Sequence, residues 1–246
     1  MLTSVKRKIR NTLISTASYD LVPFQPATHP DARIAAIVNS ENIDTCIDIG
    51  ASAGGYAKRL RRIGYDGRII SFEPLKDSFY ELSKVAKKDD RWVVFNTALG
   101  NTEGVASINV SENKASSSFL DMLPAHFKAA PDSKYLGQET VSITTLDSVF
   151  RDIVGTDDRV FLKIDSQGFE YNILQGASRV IREIRLIQME LSLTPLYAGE
   201  TLFYDMLKIM NELSFLLISI EPGFTDVKSG HVLQVDCVFR NNTIDF

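Results

Sequence analysis

From Thr45 onward, segments typical of buried strands alternate with segments typical of helices, and this alternation limits the fold more than any other feature of the sequence. The strand-like segments CIDIG, RIISFEP and WVVFNTALG are separated by YAKRLRRIG and DSFYELSKVAKK, whose apolar residues recur at helical spacing. Strands joined by helices of this length run parallel, because each helix crosses back over a face of the sheet. VFLKID and IRLIQMEL continue the series. The sequence therefore predicts an α/β fold with a doubly wound, Rossmann-like and mostly parallel sheet.

Two segments depart from this alternation. GVASINVS and ETVSITTL indicate further strands around a polar middle, so that residues 100–159 interrupt the regular winding. We expect the segment from Ser111 to Gly137 to be a mobile cover over an acceptor site, because active-site lids are often built from such insertions. Near the end of the chain, FLLISI and LQVDCVFR are joined without a helical pattern, which predicts an antiparallel pair of C-terminal strands.

Residues 1–40 are predicted to form a helical N-terminal extension and residues 41–246 a single domain, because no linker-like stretch divides the chain. Within the extension, Val5 to Ile14 has the pattern of a short, basic, amphipathic helix. Packing on the protein surface or on a partner is the favoured interpretation, and peripheral contact with an anionic membrane stays open. No apolar run approaches the roughly 18 residues that a membrane span needs, so we expect a cytoplasmic protein.

Net charge and cysteine content limit the classes of function that the sequence supports. A formal net charge of -4 argues against a strongly basic surface for nucleic acid. Cys46 and Cys237 lie in strand-like apolar runs without a CxxC partner, and we expect both to be buried packing thiols. No Ser-His-Asp arrangement with a nucleophile elbow is present, so hydrolase chemistry is unsupported. The sequence predicts no particular oligomeric state.

The run GASAGG follows the first strand and places six small residues where an open α/β sheet binds ligands. The candidate cofactor contacts among them are Gly50, Ala51, Ser52 and Gly54. A dinucleotide is expected behind G-x-G-x-x-G, and here alanine and glycine stand where that fingerprint has glycine and variable residues. S-adenosylmethionine has no phosphate and does not require the fingerprint. Small residues also allow close packing of a strand against its helix, and this interpretation stays open for Gly50 and Gly54.

Two acidic residues flank the loop. Asp48 suits the cationic end of S-adenosylmethionine, because a carboxylate within an apolar strand needs a partner. Glu73 closes the next strand, where it can accept hydrogen bonds from both ribose hydroxyls. It lies about 23 residues after Gly50, near the spacing of a ribose-binding acid in dinucleotide enzymes. This spacing alone does not separate the two cofactors.

Seven motifs follow one another between Thr45 and Leu193: CIDIGASAGGY, IISFEP, FNTALGNTEG, ASSSFL, VSITTLDSV, FLKIDSQGFEYNILQGA and IQMELS. In this order they resemble the FkbM-type methyltransferase family, and LKIDSQGFE followed by LQGA is the most specific part. The resemblance implies a class I methyltransferase fold, S-adenosylmethionine as the donor, and O-methylation of a hydroxyl on a sugar, glycan or secondary metabolite. The predicted antiparallel C-terminal pair fits that fold better than a dehydrogenase.

The resemblance also assigns individual residues. Asn96 and Ala98 fall in the segment that the family places beside the adenine, although Asn96 can equally form a turn. The serines from Ser116 to Ser118 become candidate contacts to substrate or cofactor. Gln167 departs from the pattern, because the family commonly has glutamate at this place in its D-x-E-G turn.

In the strand order of that fold, KIDSQG and QMELS end side by side next to the first strand, so Asp165 and Glu190 are predicted to lie near the donated methyl group. One acid of such a pair can take the hydroxyl proton with its pKa raised by the other, which is the favoured interpretation. Alternatively, both hold a divalent metal that acidifies the hydroxyl. In a purely structural role, Asp165 caps the helix that begins near Gly168, with Glu170 in its first turn.

Three functions from different classes remain open. An S-adenosylmethionine-dependent O-methyltransferase acting on a small-molecule or glycan acceptor is preferred over an NAD-dependent oxidoreductase and over a non-catalytic cofactor-binding or scaffold protein. The imperfect glycine fingerprint counts against the oxidoreductase, and the intact acids count against the scaffold. His126 lies in the insertion within reach of an acceptor, but a lone loop histidine is expected to be solvated rather than a general base.

Overall fold

The structure is a computed structural model that describes residues 2–244. Positions 1, 245 and 246, at the outer ends of the predicted extension and domain, lie outside the described residues. The helices are α1 (Leu2–Ala17), α2 (Pro30–Ser40), α3 (Gly55–Arg62), α4 (Lys76–Ala86), α5 (Pro124–Ala129), α6 (Leu146–Ile153), α7 (Glu170–Gln175) and α8 (Phe203–Glu212). The strands are β1 (Thr45–Ile49), β2 (Arg68–Phe72), β3 (Trp92–Phe95), β4 (Ala98–Leu99), β5 (Gly104–Ser111), β6 (Tyr135–Thr144), β7 (Val160–Ile164), β8 (Ile184–Ser192), β9 (Phe215–Pro222) and β10 (Gln234–Asn241).

Seven strands form one sheet in the order β3-β2-β1-β7-β8-β10-β9. The pairs from β3 to β8 are parallel, and β10 runs antiparallel to both β8 and β9. Both predictions, the mostly parallel doubly wound sheet and the antiparallel C-terminal pair, are confirmed. β1 and β7 are buried along their whole length, as expected of central strands that are covered by helices on both faces.

The strand order reverses at β1. The chain passes from β1 outward to β2 and β3, and then returns to the other side of β1 with β7. Loops leaving the carboxyl ends of β1 and β7 therefore diverge and open a crevice above the sheet, which is where such folds bind ligands. The register pairs Asp48 with Lys163 and Ile49 with Ile164, so both strands end level at this crevice.

The predicted insertion contains a second, three-stranded sheet in the order β4-β6-β5. β5 and β6 are antiparallel, and they correspond to the two additional strands that the sequence indicated. A small apolar core joins this sheet to the loop after β2 through Leu75, Ala98, Ile108, Val141 and Ile143. The segment between β5 and β6 contains α5 and two short 3₁₀ turns. Its predicted mobility stays a prediction.

Helices cover both faces of the large sheet. Apolar side chains of α2, α3 and α4 pack on one face with Cys46, Ile69 and Phe161, and those of α6, α7 and α8 pack on the other with Cys237. Both cysteines are unpaired and fully buried, which confirms their predicted packing role. Among the described residues, no helix combines the length and apolar character that a membrane crossing requires.

Candidate active site

Two clefts open at the carboxyl ends of the central strands. The Glu73 cleft has an empty volume of about 670 Å³ including the solvent at its mouth, and it is lined among others by Glu73, Ala98, Leu99, Ser117 and Phe119. The Glu190 cleft, with an empty volume of about 950 Å³ on the same basis, is lined among others by Tyr56, Arg59, Gln188, Glu190 and Asp236. Gly50, Ser52 and Asp165 line both clefts, so these residues form the divide between them.

The loop after β1 has an unusual backbone that brings it against β7. Gly50 has φ +76°, and a Cβ built on it would overlap the carbonyl oxygen of Asp165. Glycine is therefore required here both for conformation and for space. Gly54 is also left-handed at φ +78°, but its missing Cβ makes room for the Trp92 ring, and it lines neither cleft. Of the two interpretations open for these glycines, the packing role describes Gly54, whereas Gly50 faces the clefts.

Ala51 and Ser52 continue the loop. The Ala51 N–H donates to the carbonyl of Phe72, and its methyl group is buried at the wall of the Glu190 cleft. Ser52 has φ +47°, and its N–H donates to Oε2 of Glu73 at 2.8 Å. This hydrogen bond ties the loop to the end of β2 and brings Gly50, Ser52 and Glu73 together at one cleft.

Glu73 is a buried carboxyl group at the end of β2. Besides the bond from Ser52, its Oε1 accepts from the N–H of Leu75 at 2.9 Å. Burial raises the pKa of Glu73 to about 7, although these two backbone N–H groups act in the opposite direction. Each carboxylate oxygen keeps a free lone pair, so the group can still accept hydrogen bonds from a ligand in the cleft.

Asn96 and Ala98 differ in their relation to the cleft. Ala98 is buried in the wall of the Glu73 cleft. Asn96 donates from Nδ2 to the carbonyls of Glu73 and Pro74 at 2.9 and 3.0 Å, and it is not among the lining residues. Asn96 thus holds the ends of β2 and β3 together, which is the turn-forming role left open by the sequence.

Asp48 does not reach either cleft, where the sequence predicts that it contacts a cofactor. Its side chain is fully buried beneath the loop and lines neither cleft. Oδ2 accepts from the hydroxyl of Ser71 at 3.3 Å, and Oδ1 lies 3.8 Å from Nζ of Lys163. Lys163 on the neighbouring strand therefore offsets the charge of this buried carboxylate, but Oδ1 accepts no hydrogen bond within the described residues, and the predicted contact with a cofactor stays a prediction.

Asp165 and Glu190 are brought together through a single amide group. Nε2 of Gln167 donates to Oδ1 of Asp165 at 2.9 Å and to Oε2 of Glu190 at 3.0 Å. Oε1 of the same amide accepts from the hydroxyl of Tyr197 at 2.7 Å, which fixes which end of the amide faces the acids. Gln167 adopts a left-handed backbone at φ +53°, a conformation that is uncommon for a residue with a side chain.

Lys163 sets the charge of this pair. Its buried Nζ donates to Oδ2 of Asp165 at 2.8 Å. Burial favours the neutral lysine, but the carboxylates of Asp165 and Asp48 outweigh burial and raise the pKa of Lys163. Burial likewise opposes the charge on Asp165, and Lys163 together with Gln167 outweighs it and lowers the pKa of Asp165. The pKa of Glu190 is raised well above its ordinary value by burial first and then by the charges of Asp165 and Asp236.

The pair therefore consists of one ionised acid, Asp165, and one acid that readily holds a proton, Glu190. This arrangement is expected of a general base whose pKa is raised by a charged neighbour.

Asp165 is not the cap of α7. Instead, Oε1 of Glu170 accepts from the N–H groups of Ser166 and Gly168 and closes the turn before the helix. Within the part of the chain that the structure describes, no cluster of three or more His, Cys, Asp or Glu side chains is arranged to hold a metal ion.

Gln167→Glu should reveal the charge balance of this cluster. A carboxylate in place of the amide would face two acids without a donor, and we expect about 1.5–3 kcal/mol of the free energy of unfolding to be lost at pH 8, the value of one hydrogen bond to a charged group. At pH 5 protonation within the cluster should remove most of the loss. Urea denaturation at both pH values measures the effect, and Gln175→Glu, the same change at an exposed position, is the control. An equal loss at both pH values would contradict the assignment.

The serine run links the insertion to this turn. The hydroxyl of Ser118 donates to the backbone carbonyl of Gln167 at 2.7 Å, and Ser117 lines the Glu73 cleft. Ser116 is buried against Ser133 within the insertion. The segment between Ser111 and Gly137 thus reaches the site through Lys114, Ala115, Ser117 and Phe119. The segment therefore lines the Glu73 cleft and contributes no residue to the Glu190 cleft, and its predicted role as a cover over an acceptor stays a prediction.

His126 is not solvated as the sequence indicated. It is buried beside the rings of Tyr197 and Phe224, with centroid separations of 5.1 Å for both. Burial lowers the pKa of His126 to about 4, so the ring is neutral at physiological pH. The expectation failed because α5 turns this face of the insertion inward, and His126 lines neither cleft.

Several polar residues of the site were missed from the sequence. Lys163 is buried beside Asp165, and the hydroxyl of Tyr56 donates to Oε1 of Gln188 at 2.5 Å. Nε2 of Gln188 donates to Oδ1 of Asp236 at 3.3 Å, which extends the polar lining onto β10. A signal was present for Lys163, because a lysine two residues before an acid shares its face of a strand.

The strand order, the crevice at the reversal point and the acid-lined clefts define a class I methyltransferase type of fold. The sequence profile of the family described as the methyltransferase FkbM domain matches residues 48–217. The chain therefore belongs to this family of methyltransferases, as its motifs predicted.

Solved structures of similar fold include methyltransferase FkbM from Methylobacillus flagellatus KT, at 17% identity and a TM-score of 0.48 over 81% of this chain and 44% of that chain. This chain thus spans less than half of that protein. Magnesium protoporphyrin IX methyltransferase from Synechocystis PCC 6803 with bound SAM matches at 9% identity and a TM-score of 0.48, over 96% and 97% of the two chains. The comparison with curated proteins gave no match. The family assignment rests on the sequence profile.

Proposed function

We propose that this methyltransferase uses S-adenosylmethionine to methylate a hydroxyl of a sugar, a glycan or a secondary metabolite. The observation that carries the proposal is the position of Asp165, which lines both clefts and is joined through Gln167 to Glu190. Groups that enter from the two clefts can meet only near this divide. An acid pair there can remove a proton from an incoming hydroxyl.

The residues of the Glu73 cleft fit the adenosine part of the proposed cofactor. Phe72, Leu99 and Phe119 supply apolar walls for a flat ring, and Glu73 offers a carboxylate with lone pairs for two hydroxyl groups. Gly50 leaves the divide between the clefts without a side chain, because a Cβ there would overlap the carbonyl oxygen of Asp165. When bound, S-adenosylmethionine supplies a methyl group on a positively charged sulfur, which needs no further activation.

The tasks left to the chain are alignment and removal of the hydroxyl proton. Lys163 keeps Asp165 ionised, and Gln167 holds the two acids at a fixed separation. Glu190, whose pKa is raised by burial and by its acidic neighbours, is the stronger base of the two once it is ionised. Glu190 therefore takes the proton, and Asp165 accepts a hydrogen bond from the acceptor and orients it.

The lining of the Glu190 cleft supports a polyhydroxylated acceptor. Tyr56, Gln188 and Asp236 present a hydroxyl, an amide and a carboxylate, which together can donate to and accept from several hydroxyl groups. The formal net charge of -4 favours a small-molecule or glycan acceptor over nucleic acid. Two unpaired cysteines are compatible with a cytoplasmic location.

A thermal-shift panel separates this function from its rivals. S-adenosylmethionine and S-adenosylhomocysteine should each raise the melting temperature, because a ligand that binds only the folded protein stabilises it. NAD should not do so. A shift with NAD alone would favour an oxidoreductase, and no shift with any of the three would favour a scaffold protein. Mass spectrometry of a cell extract incubated with enzyme and cofactor would then find the acceptor as a product with one added methyl group.

Glu73→Ala should weaken S-adenosylmethionine binding at least about tenfold, because each hydrogen bond to a charged group contributes ~1.5–3 kcal/mol. In the wild-type protein the affinity should fall as the pH drops below about 7, the pKa of Glu73, since a protonated carboxyl accepts fewer hydrogen bonds. The variant should lose this step in the pH dependence. Isothermal titration calorimetry between pH 6 and 8 measures both effects.

Two further variants make this test specific. Glu73→Gln keeps the volume of the side chain and one acceptor for the loop, so it should weaken binding with less disturbance of Ser52 and Leu75. Glu81→Ala removes an exposed glutamate from α4 and should leave the affinity unchanged. Unaltered affinity in both Glu73 variants would remove this residue from the cofactor site.

A further inference from the structure

The extension at the start of the chain presents an apolar stripe to solvent. α1 (Leu2–Ala17) extends three residues beyond each end of the segment from Val5 to Ile14 that the sequence pattern indicated. Val5 and Ile9, about one turn apart on the same face, are exposed, with 55% and 49% of their surfaces accessible, and Ile14, on the opposite side of the helix, is exposed at 46%. The segment that follows exposes further large apolar side chains, at Tyr19, Leu21, Val22 and Phe24. Such a concentration of exposed apolar surface marks an interaction site rather than a solvated helix.

Contacts after the helix hold this second apolar group beside the first. Arg10 forms a two-pronged ion pair with Asp20, at 2.5 and 2.7 Å. The N–H of Tyr19 donates to the carbonyl of Leu13 at 3.3 Å, so the chain turns back at the end of the helix. α1 and the segment 19–24 therefore form one surface, which we call the N-terminal apolar surface.

The charge of this region is the reverse of the charge of the rest of the chain. Residues 1–19 contain four of the 27 Lys and Arg residues and none of the 31 acidic residues. Lys6 and Lys8 flank the stripe formed by Val5 and Ile9, and Arg7 lies on the opposite face of the helix. Residues 20–246 contain the other 23 Lys and Arg residues and all 31 acidic residues, so the first 19 residues carry +4 and the rest carries -8. The N-terminal end therefore has the sign of charge that an anionic surface attracts.

We propose that the N-terminal apolar surface docks on an anionic phospholipid bilayer. A basic amphipathic helix lies in the plane of the bilayer interface, where its apolar side chains enter the acyl boundary and its cations meet lipid phosphates. Symmetrical pairing with a second copy would bring two sets of like charges together. The bilayer complements both properties at once.

Sedimentation with vesicles tests this proposal. The full chain should sediment with vesicles of phosphatidylcholine and phosphatidylglycerol in equal parts and remain in solution with phosphatidylcholine alone. High salt should release it, because screening weakens the attraction. The triple variant Lys6→Glu, Arg7→Glu, Lys8→Glu should lose at least tenfold in partitioning, and so should the double variant Val5→Ser, Ile9→Ser.

A matched triple variant on α4 and its end, Lys76→Glu, Lys87→Glu, Lys88→Glu, changes the net charge equally and should keep wild-type partitioning. Equal losses in the two triple variants would overturn the proposal in favour of a net-charge effect. Failure of the wild-type chain to sediment would also overturn it. Dimers on size-exclusion chromatography that the double variant Val5→Ser, Ile9→Ser abolishes would assign the surface to a second copy instead.

Discussion

We expect Gly50→Ala both to weaken cofactor binding and to destabilise the fold. A residue with a side chain in the left-handed conformation costs about 1–2 kcal/mol. The overlap of the new methyl group with the carbonyl of Asp165 adds about 1–3 kcal/mol, as overpacking does elsewhere. Because relief requires β1 and β7 to separate at their carboxyl ends, the divide between the clefts moves. We expect S-adenosylmethionine affinity to fall by roughly a hundredfold, the scale of a misplacement near 1 Å.

The control is Gly64→Ala, which separates the conformational cost from the steric overlap. Gly64 is also left-handed, at φ +92°, but a Cβ there meets no atom within 4 Å. That variant should show only the conformational cost and keep full cofactor affinity. Urea denaturation and calorimetry on both variants measure stability and affinity separately. If the two variants lose the same stability and neither loses affinity, the loop after β1 does not need the close approach that the structure shows.

The large sheet could be predicted because its order follows from chain connectivity. Helices between strands force parallel crossovers, and the absence of a helix between β9 and β10 forces an antiparallel pair. The segment WVVFNTALG shows where this reasoning stops. It has the pattern of one strand, yet it divides at Asn96 and Thr97 into β3 and β4, which belong to different sheets. The break depends on hydrogen bonds from Asn96 to the end of β2, and a periodic pattern does not encode such remote contacts.

The candidate site was predictable where a residue's place on a strand end decides its surroundings. Glu73 and Asp165 directly follow β2 and β7, Glu190 lies near the carboxyl end of β8, and the structure brings all three to the clefts. For Asp48, whose apolar strand offers no partner, the sequence predicts a ligand or a cap of the loop, and it does not show that Lys163 lies one strand away in register. The bridge by Gln167 depends on a left-handed backbone and on Tyr197, thirty residues further along the chain. Neither can be read from a local motif.

Asp165→Asn should reduce methyl transfer at least a hundredfold while S-adenosylmethionine still binds, because positioned proton transfer contributes typically ~10²–10⁴-fold. The substitution keeps the shape of the side chain, but it removes a negative charge. In the wild-type protein this charge pairs with Lys163 and raises the pKa of Glu190. Glu190 is then a weaker base for the proton of an incoming hydroxyl, and the neighbouring side chain is an amide in place of a carboxylate. Steady-state kinetics on the acceptor identified by mass spectrometry measures the loss, and calorimetry measures cofactor affinity.

The pH profile distinguishes a catalytic role of Asp165 from a structural one. Turnover of the wild-type enzyme should rise with pH as Glu190 loses its proton, and in Asp165→Asn this rise should move to lower pH, since one source of the raised pKa is gone. Glu190→Gln leaves the ion pair of Lys163 with Asp165 intact, so it should keep the fold and lose both turnover and the pH-dependent rise. If a chelator lowers the turnover of the wild-type enzyme, the acid pair holds a metal ion that acidifies the hydroxyl, and it does not act as a general base. Near-wild-type turnover in both variants would leave the acid pair with a structural role, in which Lys163, Gln167 and the two acids only fasten β7 to β8.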